Sequence, residues 1–124
     1  MERLRALIEE LVEEHRSILR ELKKVEENLE DNLEKLIQLM EHEVERHALK
    51  EESELRELAE GRFDFYVLEF AHEQVREALE ELKESPNENN AKRAIAVLKS
   101  HFMEEENIYF PEMLGHEPYL GGEG

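Results

Sequence analysis

Apolar residues recur with a helical period along almost the whole chain. Leu4, Leu7, Ile8, Leu11, Val12, Ile18, Leu19, Leu22 and Val25 form a first stripe. Their spacing of three and four residues marks one face of an α-helix. A second stripe runs through Leu33, Leu36, Ile37, Met40, Val44, Leu55 and Leu58, a third through Phe65, Leu68, Val75, Leu79 and Leu82, and a fourth through Ala94, Ile95, Leu98, Phe102 and Ile108. The first 60 residues contain no Gly or Pro, so the first break must be read from subtler signals. Asp31 followed by Glu34 has the form of a variant capping box, which predicts a first helix ending near Glu26 and a second starting near Asn32. Gly61 is the expected C-cap of the second helix. The third is predicted from about Phe63 to Glu84. Ser85-Pro86-Asn87 ends it and starts the fourth, because Pro stops one helix and Asn caps the next. The fourth is predicted to stop before Pro111. Short connections between long helices make neighbours antiparallel. The expected fold is therefore all-α: an up-down-up-down antiparallel four-helix bundle over residues 1–111, with an irregular tail over 112–124.

Composition agrees and narrows the function classes. A chain of 124 residues is one domain's worth, rich in Glu, Leu, Lys, Arg and Ala. Its net charge of −17 argues against nucleic acid and against an anionic membrane surface, both of which need clustered cations. Most acids are expected on a solvated face, where pairs such as Asp31–Lys35 and Glu52–Arg56 support the helix. There is no cysteine, which excludes disulfides and thiolate-held metals. No apolar run reaches the roughly 18 residues of a membrane span, and the N-terminus is too charged for a signal peptide. The expected compartment is the cytoplasm.

Candidate chemistry lies where the stripes are interrupted. The first passes Leu11, His15, Ile18; the second Val44, His47, Glu51, Leu55; the third Leu68, His72, Val75; the fourth Leu98, His101, Glu105, Ile108. Each helix loses its apolar residues at one place, and always to a residue type that ligates metals. Folding about a turn near residue 29 brings His15 to within about 6 Å of the level of His47, at a rise of about 1.5 Å per residue. Folding about Gly61 brings Glu51 beside His72, and folding about Pro86 brings His72 beside His101. The six side chains are expected to meet in one layer. Two glutamates and four histidines buried together would destabilise the bundle unless a cation offsets them. The i, i+4 pairs His47–Glu51 and His101–Glu105 each lie on one helix face. A carboxylate one turn from its histidine can bridge two ions while each imidazole caps one. Imidazole and carboxylate donors suit iron, with zinc or manganese as possible substitutes. A bundle serving only as a metal-free interaction domain would have to explain all six positions at one level, so it is the weaker reading.

The segments Glu14-His15-Arg16, His47-Ala48-Leu49-Lys50-Glu51-Glu52, Ala71-His72-Glu73, and His101 through Glu105-Glu106 to Phe110-Pro111 resemble those of the hemerythrin-like (HHE cation-binding) family. The last is the most specific, and the resemblance spans about Leu4 to Pro111. It implies an up-down four-helix bundle around two iron ions, oxo- or hydroxo-bridged. It further implies Glu51 and Glu105 as bridging carboxylates, His15 and His47 as ligands to one iron, and His72 and His101 as ligands to the other. Oxygen-carrying members have a further histidine one turn after the third-helix ligand, where this chain has Arg76. Four histidines and two glutamates resemble instead the branch with iron-centre repair proteins and the iron-sensing domain of an F-box protein. The missing imidazole either opens a coordination position or recruits another ligand. Glu69, three residues before His72, is the first candidate, followed by Glu73 and Tyr66.

Of the other chemistry-bearing residues, His42 lies about 140° around the helix from His47 and is expected at the surface, and His116 falls in the tail. Tyr109 is expected to pack or to hydrogen-bond near the site. Phe70, Phe102 and Met103 are expected as core or pocket walls. There is no cysteine nucleophile, no phosphate-binding glycine loop and no Ser–His–Asp pattern. The function expected is binding or sensing of O2 or another diatomic such as NO, or iron handling, rather than enzymatic turnover. The alternative is iron-centre repair or detoxification of peroxide or NO.

Overall fold

A computed structural model describes residues 2–115. Four long helices account for nearly all of it: α1 (Glu2–Glu26), α2 (33–58), α3 (Phe65–Glu84) and α4 (88–113). Among the described residues there is no strand, and no helix is long and apolar enough to cross a membrane. The four helices form the expected all-α bundle.

The breaks fall close to where the sequence puts them, for partly different reasons. A 3₁₀ turn, Leu29–Asn32, carries the chain from α1 to α2. The Asp31 capping box does not form: Asp31 accepts instead from the Asn28 side-chain amide at 2.8 Å, and α2 begins with no side-chain cap. At the other end α2 stops at Leu58, before Gly61, whose φ of +81° places it in the left-handed region that glycine adopts without strain. Asp64 caps α3 by accepting from the Tyr66 amide at 3.0 Å. Asn87 caps α4 as expected, accepting from the Asn90 amide at 2.8 Å. The fourth helix does not stop before Pro111. A π turn, Glu105–Tyr109, precedes the proline, and helix then continues over Phe110–Met113. The wider turn already displaces the backbone bonding there, with Phe110 N–H reaching Glu105 O, so the N–H that Pro111 lacks falls where the ladder is disturbed anyway. Met113 is consequently buried core. His116 lies outside the described residues.

The interior has three storeys. One apolar cluster is built from Ile18, Leu22, Leu36, Met40, Leu79, Leu82 and Leu98 with their neighbours. A second contains Leu4, Leu11, Leu55, Leu68, Phe110 and Met113. Between them sit the buried polar residues His15, His47, Glu51, His72, His101 and Glu105. The two apolar storeys supply the driving force, at roughly 2 kcal/mol for each fully buried leucine. The middle storey works against it.

Candidate metal centre

All four helices contribute to the middle storey: His15 from α1, His47 and Glu51 from α2, His72 from α3, His101 and Glu105 from α4. Glu51 and Glu105 have no solvent exposure, and His101, the most exposed of the six, is 6% exposed. Both glutamates open a π turn, Glu51–Leu55 and Glu105–Tyr109. The histidine one turn before each is on ordinary α-helix, so the i, i+4 pairing survives, and the extra residue is absorbed just beyond the carboxylate. Periodicity averaged over a whole stripe hides such turns, although they recur at functional sites.

The donor atoms converge. His15 Nε2 lies 2.8 Å from Glu105 Oε1 and 2.9 Å from His47 Nε2. His47 Nε2 is 3.3 Å from Glu51 Oε2, His72 Nε2 is 2.8 Å from Glu51 Oε1, and His101 Nε2 is 3.4 Å from Glu105 Oε2. They fall into two groups of four. His15, His47, Glu51 and Glu105 offer donor atoms within 4.8 Å of one another, and so do Glu51, His72, His101 and Glu105. The glutamates belong to both groups. Two neighbouring cation positions that share both carboxylates satisfy this pattern.

Without cations the layer is under-satisfied. Glu51 Oε2, Glu105 Oε2 and both ring nitrogens of His101 are buried with no hydrogen-bond partner. Orphaned buried polar atoms are rare because each costs about 1–3 kcal/mol. Here they belong to residues of the two donor groups, and their nitrogen and oxygen chemistry fits iron, manganese or zinc.

The outer nitrogens show how the rings are aimed. His47 Nδ1–H donates to Glu14 at 2.8 Å, His15 Nδ1–H to Glu106 at 2.7 Å, and His72 Nδ1–H to Glu52. An ionised carboxylate only accepts, so each of these rings carries its proton on Nδ1. Nε2 is then the nitrogen turned to the middle of the layer, where it can ligate a metal once its proton is displaced. Sequence reasoning missed Glu14, Glu52 and Glu106. The available signal was that each follows or precedes one of the six directly: Glu14-His15, Glu51-Glu52, Glu105-Glu106. A residue 100° from an inward one sits at the edge of the stripe, within reach of the next helix.

Several expectations about neighbouring residues are corrected. Glu52 does not pair with Arg56; it takes His72 and, at 3.1 Å, Arg76. Arg56 pairs with Glu69 at the surface, so Glu69 does not replace the missing histidine. Glu73 and Tyr66 are exposed and belong to neither donor group. Arg76 itself is anchored by Glu45 through two guanidinium nitrogens, at 2.8 and 3.1 Å. Phe70 and Met103 are surface residues, 67% and 63% exposed. Of the three, Phe102 alone walls the site, stacked on His15 with ring centroids 4.0 Å apart, and Phe110 stacks on the same ring at 6.0 Å. Tyr109 packs in the core and donates its hydroxyl to Glu104 at 2.8 Å, away from the donor groups. His42 is exposed, as expected.

A family model for the hemerythrin HHE cation-binding domain matches residues 6–113. The chain belongs to this family. No curated protein and no solved structure matches it. Membership of a cation-binding family and two buried His/Glu groups that could hold a metal point to the same kind of ligand, a metal cation.

Electrostatics in this hemerythrin-like bundle set a pH dependence. Burial disfavours a charged His47, but hydrogen bonds and charge from Glu105 and Glu51 outweigh it and push His47 up to about 11. Burial, then the Glu105 charge, raises Glu51 above the usual carboxylate range. His72 is raised as well, because Glu51 and Glu52 outweigh its burial. Unfolded histidine titrates near 6.5. The stability contributed by His47 is therefore fully present below about 6.5 and is lost as pH rises toward 11. Metal-free protein is expected to melt at a lower temperature at pH 9.5 than at pH 6.5, and His47→Leu should flatten that slope. Cations must displace the same protons, so metal affinity should rise over the same interval. Melting curves at both pH values, with chelator and with added Zn2+, check both signs. A metal-free melting temperature that climbs with pH would contradict the assignment.

Proposed function

We propose that this protein is a non-haem di-iron protein that binds O2 or a similar diatomic such as NO. In this reading His15 and His47 hold one iron, His72 and His101 the other, and Glu51 and Glu105 bridge them. The observation that carries it is the pair of four-donor groups sharing both glutamates. Bound iron would supply reversible one-electron chemistry and an affinity for small diatomic ligands.

The chain's own residues support the diatomic. A small cavity adjoins the donor groups, lined by Val44, Ala48, Val75 and Phe102 and by the rings of His47, His72 and His101. Its volume of about 10 Å3 is close to the room one water-sized molecule needs. Arg76 also lines it, but Glu45 and Glu52 hold its guanidinium. The cytoplasm is the compartment this reading assigns, since a chain without cysteine needs no oxidising environment to fold.

Anaerobic loading with Fe2+ should give two irons per chain, with charge-transfer bands of a coupled ferric pair after exposure to air. A chain that takes up no stoichiometric iron would end the proposal. One observation favours a second reading, turnover of NO or peroxide or delivery of iron for repair. The His72/His101 position has two imidazoles, and Arg76, Glu69, Glu73 and Tyr66 do not complete it. A stoichiometric, reversible adduct with no consumption of ligand supports binding; steady consumption supports turnover.

A further inference from the structure

We propose that the ion held by His72 and His101 exchanges with solvent ahead of the ion held by His15 and His47, leaving along the α3–α4 groove past the His101 ring. This rests on the metal-site reading above and adds an order and a route to it.

Two independent features single out His101. The first is anchoring. His15, His47 and His72 each donate an outer N–H to a carboxylate on another helix, whereas neither ring nitrogen of His101 has a partner. A ligating imidazole held by an outer carboxylate keeps its aim when the metal bond breaks and rebinds at once. An unheld ring can turn away. Removing such an outer partner typically costs about 10–100-fold in metal affinity. One of the two positions therefore carries a weak ligand by construction.

The second feature is access. His101 lines the small inner cavity and also a groove of about 290 Å3 on the outside of the bundle. Ala71, Gln74, Ala96, Val97, Ser100 and Glu104 form that groove between α3 and α4. Its alanines and Ser100 leave the His101 ring as the partition between solvent and the donor layer, and the Glu104 carboxylate on its wall takes the Tyr109 hydroxyl and not the ring. At the other position His47 also lines the inner cavity, but both rings are held by outer carboxylates. His15 has no exposure and is covered by Phe102, and His47 is held by Glu14, which Lys50 in turn holds at 2.8 Å.

The full chain loaded with two equivalents of Co2+ and mixed with excess chromogenic chelator tests this by stopped flow. Release is expected in two phases of one ion each, separated by about tenfold or more. Val97 lies one turn before His101 on the groove wall, so the carboxylate of Val97→Glu can accept from Nδ1–H. That variant should slow the fast phase about tenfold and leave the slow phase alone. Ala96→Leu, which fills the groove without adding a carboxylate, should also slow only the fast phase. Glu14→Ala releases the His47 ring and should speed only the slow phase. Two ions leaving in a single phase, or groove variants that act on the slow phase or on neither, would overturn the order while leaving the metal reading intact. A chain that takes up no cobalt sinks both.

Discussion

Glu105→Ala is expected to abolish both metal positions at once. Glu105 belongs to both donor groups, with Oε1 2.8 Å from His15 Nε2 and Oε2 3.4 Å from His101 Nε2. A histidine variant such as His101→Ala removes a donor from one group only. The effect is readable as stability, because an ion that binds only the folded state stabilises it by about 4 kcal/mol when free metal is a thousand times its Kd. Two such sites amount to about 8 kcal/mol. For a domain of this size each kcal/mol moves Tm by about 4 °C. Metal should therefore raise the Tm of the native sequence by roughly 30 °C and that of Glu105→Ala by less than about 5 °C. On the proposed di-iron reading, metal content should fall from two ions per chain to none. The informative quantity is the metal-induced shift, since deleting a buried charge also changes the metal-free protein. Calorimetry with and without metal, alongside metal analysis, measures both. A Glu105→Ala protein that keeps two ions would refute the bridging role.

Replacing the whole layer should do the opposite to the metal-free fold. In the variant His15→Leu, His47→Leu, Glu51→Leu, His72→Leu, His101→Leu and Glu105→Leu, the stripes of all four helices run unbroken. The native layer buries two carboxylates and four imidazoles between two apolar clusters, with four polar atoms unpartnered. Exchanging a buried ion pair for well-packed apolar side chains is commonly neutral or stabilising, by up to about 4 kcal/mol. With two carboxylate centres involved, the metal-free variant should gain on the order of 5 kcal/mol, seen as a Tm about 20 °C higher. It should show no shift with metal. A variant less stable than the metal-free native protein would mean that the polar layer holds itself together, and the case that it needs cations would weaken. These two experiments pull in opposite directions on one structural claim, that the middle storey is a liability which bound ions offset.

The six residues of that storey were legible because helical periodicity is local. A His or Glu at a position whose neighbours three and four residues away are apolar must point inward, whichever helix it faces. The level of each residue also followed, since short connections fix how antiparallel helices align. The same reasoning failed wherever rotamer and neighbour decide. Glu69 is three residues from His72 and on the right helix, yet Arg56 on α2 claims it. Arg76 occupies the place of an expected ligand, and Glu45 and Glu52 hold it there. Phe70 and Met103 look like walls by type alone, but they lie on the solvent side of their helices.

The opening pattern of stripes and interruptions thus determined a four-helix bundle and the six polar residues buried within it, because both depend on spacing along one helix at a time. Only the tertiary structure decided that the six divide into two groups sharing two glutamates. It also decided that Glu14, Glu52 and Glu106 aim three of the rings, and that His101 stands unheld between an inner cavity and an outer groove. Those facts concern atoms on different helices. Their separations depend on how each helix is rotated and where a π turn shifts it, and no stripe in a single segment records that.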